Sequence, residues 1–361
     1  MTTAVLSDLH VGAVTKHSVA ARPRSLEVLA ERLAGVEHVV LLGDVLELRE
    51  MPLRQALREA EPLFRTLGSA VGEGRVTVVP GNHDHHLATP LLEEHRLGPG
   101  GALPVETVTQ APPSGALALI AEWLRPAELR VAYPGIWLRP DVFATHGHYL
   151  DLHNTVPTLE CLGVSATERV LGGAPAGGRT PDDYEAALAP LYALTFSLAQ
   201  AGRPRRATRG GSAAVWQRIG GSGGRPTPSG RALAVAIPLA VAGLNRAGLG
   251  PFRPDLTGEE LRRAGLAAMA AAAERLGAGA ATVLFGHTHR SGPWPGDDAA
   301  EWTLAGGGRL LNTGSWVADD AFAPVGGGIN PYSPGTCVFL GDDGPPRLER
   351  LLDVPASTTR T

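Results

Sequence analysis

At 361 residues and 43% hydrophobic content, the chain can form one large or two modest domains with a well-filled core. A net charge of −4 exerts no overall pull toward nucleic acid, and two distant cysteines, Cys161 and Cys337, exclude a disulfide framework or a cysteine-based zinc motif. Lys16 is the single lysine among 32 basic residues, and alanine, glycine and proline are abundant, the bias of a GC-rich coding sequence.

Ala4–Leu6 reads as a short buried strand running straight into Asp8. It leaves no room for a cleaved signal peptide, so a cytoplasmic protein is expected. A helix is expected over Ser25–Ala34, with Ser25 as N-cap and Val28, Leu29 and Leu33 on one face. Val39–Leu42 reads as the second strand. A helix carrying Leu53, Leu57, Phe64 and Leu67 then ends near Gly72, ahead of a third strand at Val76–Val79, and Leu91–His95 makes a further short helix. Gly98–Ser114, rich in glycine and proline, reads as loop, and Ala116–Leu124 as helix. Leu129–Tyr133, Ile136–Leu138 and Val142–Ala144 read as strands separated by turns at Pro134-Gly135 and Pro140-Asp141. Near the C-terminus, Trp302–Leu304, Arg309–Asn312, Thr336–Leu340 and Leu348–Leu351 suggest an antiparallel run, followed by a frayed tail. Strands alternating with helices predict stacked α/β layers.

Between Asp151 and Ala280 the sequence changes character, in a stretch longer than any ordinary connection. The organisation expected is a core in two parts, 1–150 and 281–353, an insertion over 151–280 and a tail over 354–361. Helices are expected in the insertion at Val164–Leu171, Pro181–Gln200, Ala213–Ile219, Ala232–Asn245 and Gly258–Leu276. Residues 186–254 contain no Asp or Glu but carry Arg203, Arg205, Arg206, Arg209, Arg218, Arg225, Arg231, Arg246 and Arg253. Such a stretch reads first as a solvated face, and second as a peripheral contact with an anionic membrane surface or anionic substrate. Ala232–Leu244 is almost unbroken apolar sequence, too short to span a bilayer, and reads first as a buried cap helix and second as a lipid-facing or interfacial segment.

Five short polar segments each follow a strand-like run: Ser7-Asp8-Leu9-His10, Gly43-Asp44 with Glu47, Gly81-Asn82-His83-Asp84, Thr145-His146-Gly147-His148 and Gly286-His287-Thr288-His289. Polar residues delivered at strand C-terminal ends lie where open α/β sheets bind ligands. Asp, Asn and His converging there form a metal site by donor type. Two divalent ions, on the order of 3.5 to 4 Å apart, need a bridging carboxylate with oxygen and imidazole donors around each. Asp44, after Gly43 at the end of a buried strand, suits the bridge. Asp8 and His10 have the spacing to reach one ion, His287 and His289 the spacing to reach the same pocket or one ion each, and Asn82 supplies a neutral oxygen. Asp84 reads as a loop anchor, Asn312-Thr313-Gly314-Ser315 as a structural turn, and His17, His85, His86, His95 and His153 as surface or supporting groups.

In this order the five blocks resemble the signature of the calcineurin-like metallophosphoesterases. The resemblance implies an α-β-β-α four-layer sandwich, here with a helical cap insertion, and two divalent metals, manganese first with iron or zinc as alternatives. It implies that Asp8, His10 and His289 hold one ion, that Asp44 bridges, and that Asn82, His146 and His287 hold the other. His83 would contact the substrate phosphate and protonate the leaving oxygen, with Glu47 orienting it and favouring its imidazolium form. The implied reaction is hydrolysis of a phosphoric ester by in-line attack of a metal-activated hydroxide. Ser-Asp-Leu-His and Gly-Asp-Val-Leu-Glu further resemble UDP-2,3-diacylglucosamine hydrolase, though His146-Gly147-His148 stands where that group has His-Gly-Asp; the substrate is not carried over. His148 is read as bonding within its loop rather than to phosphate. A phosphodiester or pyrophosphate bond of an amphiphilic or nucleotide-linked substrate is expected, presented as a phosphorylated small molecule or lipid-linked compound. The competing readings are a non-catalytic scaffold of the same fold that binds a partner protein, and a nuclease.

Overall fold

The computed structural model describes residues 1–14, 17–156, 161–163, 180–202, 241–248, 250, 252–253, 255, 258–318 and 328–352. The strands are β1 (Thr3–Leu6), β2 (His38–Leu42), β3 (Arg75–Val79), β4 (Glu106–Gln110), β5 (Glu128–Arg139), β6 (Val142–Thr145), β7 (Thr282–Phe285), β8 (Arg309–Asn312), β9 (Thr336–Leu340) and β10 (Arg347–Arg350). They form one ten-stranded sheet in the order β10-β9-β1-β2-β3-β5-β6-β7-β8, with β4 added to β5. β1, β2, β3 and β5 are parallel in sequence, β5 meets β6 antiparallel, and β6, β7 and β8 are again parallel. The helices are α1 (Pro23–Arg32), α2 (Leu53–Val71), α3 (Thr89–Leu97), α4 (Ala116–Leu124), α5 (Pro181–Gln200) and α6 (Gly258–Arg275).

The layers follow from side-chain alternation along each strand. Ala4, Leu6, Val39, Leu41, Val76 and Val78 face one way and pack with Leu29 of α1, Leu63 and Phe64 of α2 and Ile120 of α4. Val5, Val40, Leu42 and Val79 point the other way, into a shared cluster with Ala144, Leu284 and Val338. Beyond β6 and β7, Phe143, Val283 and Phe285 pack on Met269 and Ala272 of α6 and on Tyr184 and Leu188 of α5. The curled sheet therefore buries its inner faces on each other and both outer faces under helices. Strands buried on both sides read as continuous apolar runs, as VVLL and TVLF do. Each fully buried Val, Leu or Phe contributes about 1.5–3 kcal/mol.

Five local expectations are corrected. Ser25 lies inside α1: Pro23 occupies the first helical position, where its fixed φ and missing N–H cost nothing, and Arg22 precedes it in extended conformation. Part of Gly98–Ser114 is strand β4, because Glu106-Thr107-Val108-Thr109-Gln110 has three successive β-branched residues and pairs with the free edge of β5. Residues 128–139 form one strand: Pro134 needs no N–H partner where β5 passes from pairing with β3 to pairing with β6. Ala299–Trp302 is a 3-10 turn started by the Asp298 side chain, leaving Thr303 in a single bridge to Arg309. Finally, β8 runs parallel to β7, while β9 and β10 are antiparallel.

The helices expected at Pro181–Gln200 and Gly258–Leu276 are α5 and α6. Val164–Leu171, Ala213–Ile219, the first nine residues of Ala232–Asn245 and Arg203, Arg205, Arg206, Arg209, Arg218, Arg225 and Arg231 lie outside the described residues, as does the tail from Asp353. No described helix is long and apolar enough to cross a membrane.

Candidate metal centre and active site

Each of the five polar segments begins at or just beyond the end of β1, β2, β3, β6 or β7, and the fold brings all seven candidate ligands together. On one side, Asp8 Oδ1 lies 3.3 Å from His289 Nε2, and His10 Nε2 lies 3.1 Å from the same nitrogen and 3.6 Å from Asp44 Oδ2. On the other, His146 Nε2 lies 3.2 Å from Asp44 Oδ2 and 3.2 Å from Asn82 Oδ1, which is 3.1 Å from His287 Nδ1. Asp44 Oδ2 thus stands at the junction of the two groups. Its other oxygen is held by the His83 N–H at 2.8 Å.

Backbone geometry confirms that these loops are specialised. Asp8, His10, Asp44, His287 and His289 are the non-glycine residues with positive φ among the described residues. Left-handed backbone is unfavourable for side-chain-bearing residues and is kept where surrounding contacts force it. Close approach is equally demanding: a Cβ on Gly43 would overlap the His146 ring, and one on Gly81 would overlap Asp44 Oδ1. Asp84 is the anchor expected, its carboxylate accepting from the backbone N–H groups of Gly81, Asp44, Val45 and Leu46. Asn312 Nδ2 donates to Gly286 O and Thr288 Oγ1, and Thr313 Oγ1 pairs with Ser7 Oγ at 2.6 Å, so the turn after β8 braces the loops after β7 and β1.

The electrostatics suit cations. Burial lowers the His10 imidazole, but the Glu47 hydrogen bond and the charges of Asp44, Glu47 and Asp8 outweigh it and push the group up to about 9. Burial likewise opposes charge on His146, yet Asp44 above all raises it to about 10. Burial would raise Asp44 and Glu47, but the surrounding imidazoles hold both carboxyls well below their usual range. A pocket that holds its protons this tightly has an excess of negative potential. Asn82 makes the same point: its carbonyl oxygen faces Asp44 Oδ2, His146 Nε2 and His287 Nδ1, while its amide nitrogen faces the Arg49 guanidinium. Oxygen among acceptors is favourable once a cation sits between them. The mixed oxygen and imidazole donors therefore fit two divalent ions.

His83 stands beside this pocket, more exposed than every candidate ligand except His289, with Nδ1 donating to Glu47 Oε2 at 2.6 Å and Nε2 at 3.4 Å from Arg49 Nη1. The same Glu47 oxygen accepts from His10 Nδ1 at 3.0 Å, so Glu47 serves two histidines rather than the one expected. His148 bonds Tyr133 Oη at 3.1 Å within the interior. His85 pairs with Glu185, His86 stacks on Phe196, His153 bonds Tyr184, His17 bonds Ala318 O, and His95 lies 4.0 Å from Asp182.

Three contributors escaped the motif reading. Arg49 lies five residues beyond Asp44, where only Glu47 had been singled out. Asp151 accepts from His287 Nε2 at 3.2 Å. Glu185 on α5 is buried and bonds Tyr133 Oη at 2.5 Å, Tyr149 Oη at 2.8 Å and His85 Nε2 at 2.9 Å. The sequence signal for Asp151 was its position three residues after His148; Glu185 offered none.

Residues 1–174 match the model of the calcineurin-like phosphoesterase family. The matched stretch ends before His287 and His289, which β7 returns to the same pocket. No curated protein matches the chain. Among solved structures, a dimetal phosphatase from Danio rerio is similar at 11% identity and a TM-score of 0.34, over 95% of this chain and 93% of that one. A mutant cold-active protein tyrosine phosphatase is similar at 14% identity and a TM-score of 0.26, over 94% and 75%. Those TM-scores are too low for either to support the fold. The similarity of residues 1–174 to a calcineurin-like phosphoesterase domain and the two-part cluster of ligand-type side chains together support a metal-dependent hydrolase of phosphoric esters.

Proposed function

We propose that the chain cleaves a phosphodiester or pyrophosphate bond in an amphiphilic or nucleotide-linked substrate. Asp8, His10 and His289 would hold one divalent ion and Asn82, His146 and His287 the other, Asp44 would be shared between them, and manganese is the metal proposed. The observation that carries this reading is Asp44 Oδ2, buried within 3.6 Å of His10 Nε2 and 3.2 Å of His146 Nε2, at the meeting point of two donor groups. When bound, the ions supply Lewis-acid polarisation of the phosphoryl oxygens and ease the ionisation of water.

The chain's own residues do the rest. Glu47 fixes the His83 ring through Nδ1, which leaves Nε2, on the Arg49 side, to deliver a proton to the oxygen leaving phosphorus. Arg49, beside His83 Nε2, supplies a planar cation for phosphoryl oxygens as negative charge builds on them. The apolar run at Ala232–Leu244 and the acid-free, arginine-bearing stretch 186–254 support an amphiphilic, anionic substrate and a peripheral contact with anionic lipid. The resemblance to UDP-2,3-diacylglucosamine hydrolase stays at the level of the two motifs and lends no substrate.

The test is turnover of a chromogenic phosphodiester and its matching monoester by metal-stripped protein refilled with Mn²⁺. Diester turnover exceeding monoester turnover, and lost in both His83→Ala and Asp44→Asn, is the result expected. Preference for the monoester would remove the diester assignment, and turnover surviving in Asp44→Asn would remove the metal bridge.

A further inference from the structure

Three of the imidazoles facing the pocket have the far nitrogen held. His10 Nδ1 is held by Glu47 at 3.0 Å, His146 Nδ1 by the Leu42 carbonyl at 3.0 Å, and His287 Nε2 by Asp151 Oδ1 at 3.2 Å. A ring whose outer N–H donates to a fixed acceptor keeps its inner lone pair aimed at the metal and gives up little freedom on binding. Two of the acceptors are carboxylates, one behind each group of donors: Glu47 at the first and Asp151 at the second.

The two carboxylates differ in what holds them. Glu47 belongs to the loop after β2 and is fixed locally, its Oε1 accepting from the Arg49 N–H at 3.0 Å. Asp151 belongs to a 3-10 turn, His148–Leu152, at the entry to the insertion, and is buried. That turn packs along α6 and is tied to α5 by its side chains. Tyr149 stacks on Tyr184 with ring centroids 4.3 Å apart, and its hydroxyl donates to Glu185. The His148 ring packs edge-on against Tyr192 of α5 at 5.8 Å. Asp151 Oδ2 and Tyr192 Oη are both buried without a hydrogen-bond partner among the described residues, and Asp151 is the foremost charge acting on the Tyr192 phenol.

We infer that Asp151 is a positioning residue for His287, and that α5, by holding the Asp151 turn, makes occupancy of the second metal site depend on the docked insertion. This rests on the dinuclear reading proposed above. It gives the insertion a role apart from substrate selection: the first site is complete within the motif loops, whereas the second borrows its outer support from an inserted helix.

The experiment is calorimetric titration of metal-stripped full-length protein with Mn²⁺, with melting temperature measured alongside. Wild type is expected to bind two ions. Asp151→Asn, of the same size, is expected to bind one ion with unchanged affinity and the other about 10- to 100-fold more weakly, with turnover recovered in excess Mn²⁺. His287→Ala, which lacks the ligand itself, defines how loss of the second site looks. Tyr149→Phe, which loosens the turn from α5 without touching Asp151, is expected to weaken the same site by a smaller factor. Asp151→Asn with both affinities intact would overturn the inference, as would equal weakening of both sites with a lowered melting temperature, the mark of general structural loss. Unchanged metal binding in Tyr149→Phe would overturn the part assigned to α5. Fewer than two ions in wild type would bring down the dinuclear reading itself. Two tightly bound ions without phosphoester turnover would remove the proposed function and leave the inference in place.

Discussion

The metal-site rim and the docked face of α5 are both buried and polar, yet they are built in opposite ways. In the rim, ligands sit in short sequence blocks at strand ends, five of them on left-handed backbone, and like-charged carboxylates crowd together. The docked face has one carboxylate, Glu185, shared by Tyr133, Tyr149 and His85 from separate parts of the chain, with its acceptor oxygens satisfied. Strain and excess charge mark the first; the second centres on a carboxylate whose hydrogen bonds are satisfied, with Tyr192 Oη left unpartnered beside it among the described residues. The difference teaches which region trades stability for chemistry: the rim is held in an unfavourable arrangement by the fold, and the α5 face helps to hold it.

Substitutions should separate the two regions cleanly. The largest effect is expected at the rim. Asp44→Ala should lower metal-dependent turnover by about a thousandfold or more, corresponding to several kcal/mol of lost Lewis-acid stabilisation. The metal-free protein should change little in stability, because relief of carboxylate crowding is offset by the His10 and His146 imidazoles losing the carboxylate that favours their charge, read by chemical denaturation without metal. Marked destabilisation there would show that the rim carries the fold and would break the contrast. Glu185→Ala should do the reverse, costing about 3–5 kcal/mol because two hydroxyls and an imidazole lose a buried charged partner. Urea midpoints check this, and a loss under 1 kcal/mol would mean the α5 face is not the support described.

Glu47→Gln lies between these extremes. Weakened acceptance from both His10 and His83 should reduce turnover about 10- to 100-fold with little change in stability. An unchanged rate and pH–rate profile would remove Glu47 from the machinery. The smallest effect is expected away from both regions, at His38 in β2. Burial, aided by Arg75 and Arg130, lowers its imidazole to about 4, and Nε2 bonds Thr77 Oγ1 at 2.8 Å. With the folded value below the unfolded one, the unfolded chain takes up the proton first as pH falls. Stability should therefore be full above about pH 6.5 and decline toward pH 4 by on the order of 2–3 kcal/mol. His38→Gln should flatten that segment of the stability curve, while an unaltered slope would assign it to other groups.

How much of this was legible in the sequence follows from how each part is encoded. β1, β2, β3, β6 and β7 are buried on both faces, so they appear as apolar runs, and the residues that follow them appear as motifs. α2, α4 and α5 showed through their apolar spacing and their glycine or proline punctuation. β4 did not, because five edge-strand residues pair through backbone groups alone and are flanked by glycine and proline. β5 was divided at Pro134 because proline normally interrupts pairing, and a change of strand partner leaves no mark in composition. Asp151, Arg49 and Glu185 are ordinary residue types at unremarkable spacings. They gain their roles only from burial and from neighbours distant in sequence, as when Glu185 meets His85 across 100 positions.

Two metal ions are proposed to share Asp44 at the edge of this sheet. Anomalous diffraction from crystals soaked in Mn²⁺ tests it most directly. Two peaks are predicted, one touching Asp8, His10 and His289, the other Asn82, His146 and His287, with Asp44 in contact with both. A single peak, or peaks that leave Asp44 uncoordinated, would contradict the account.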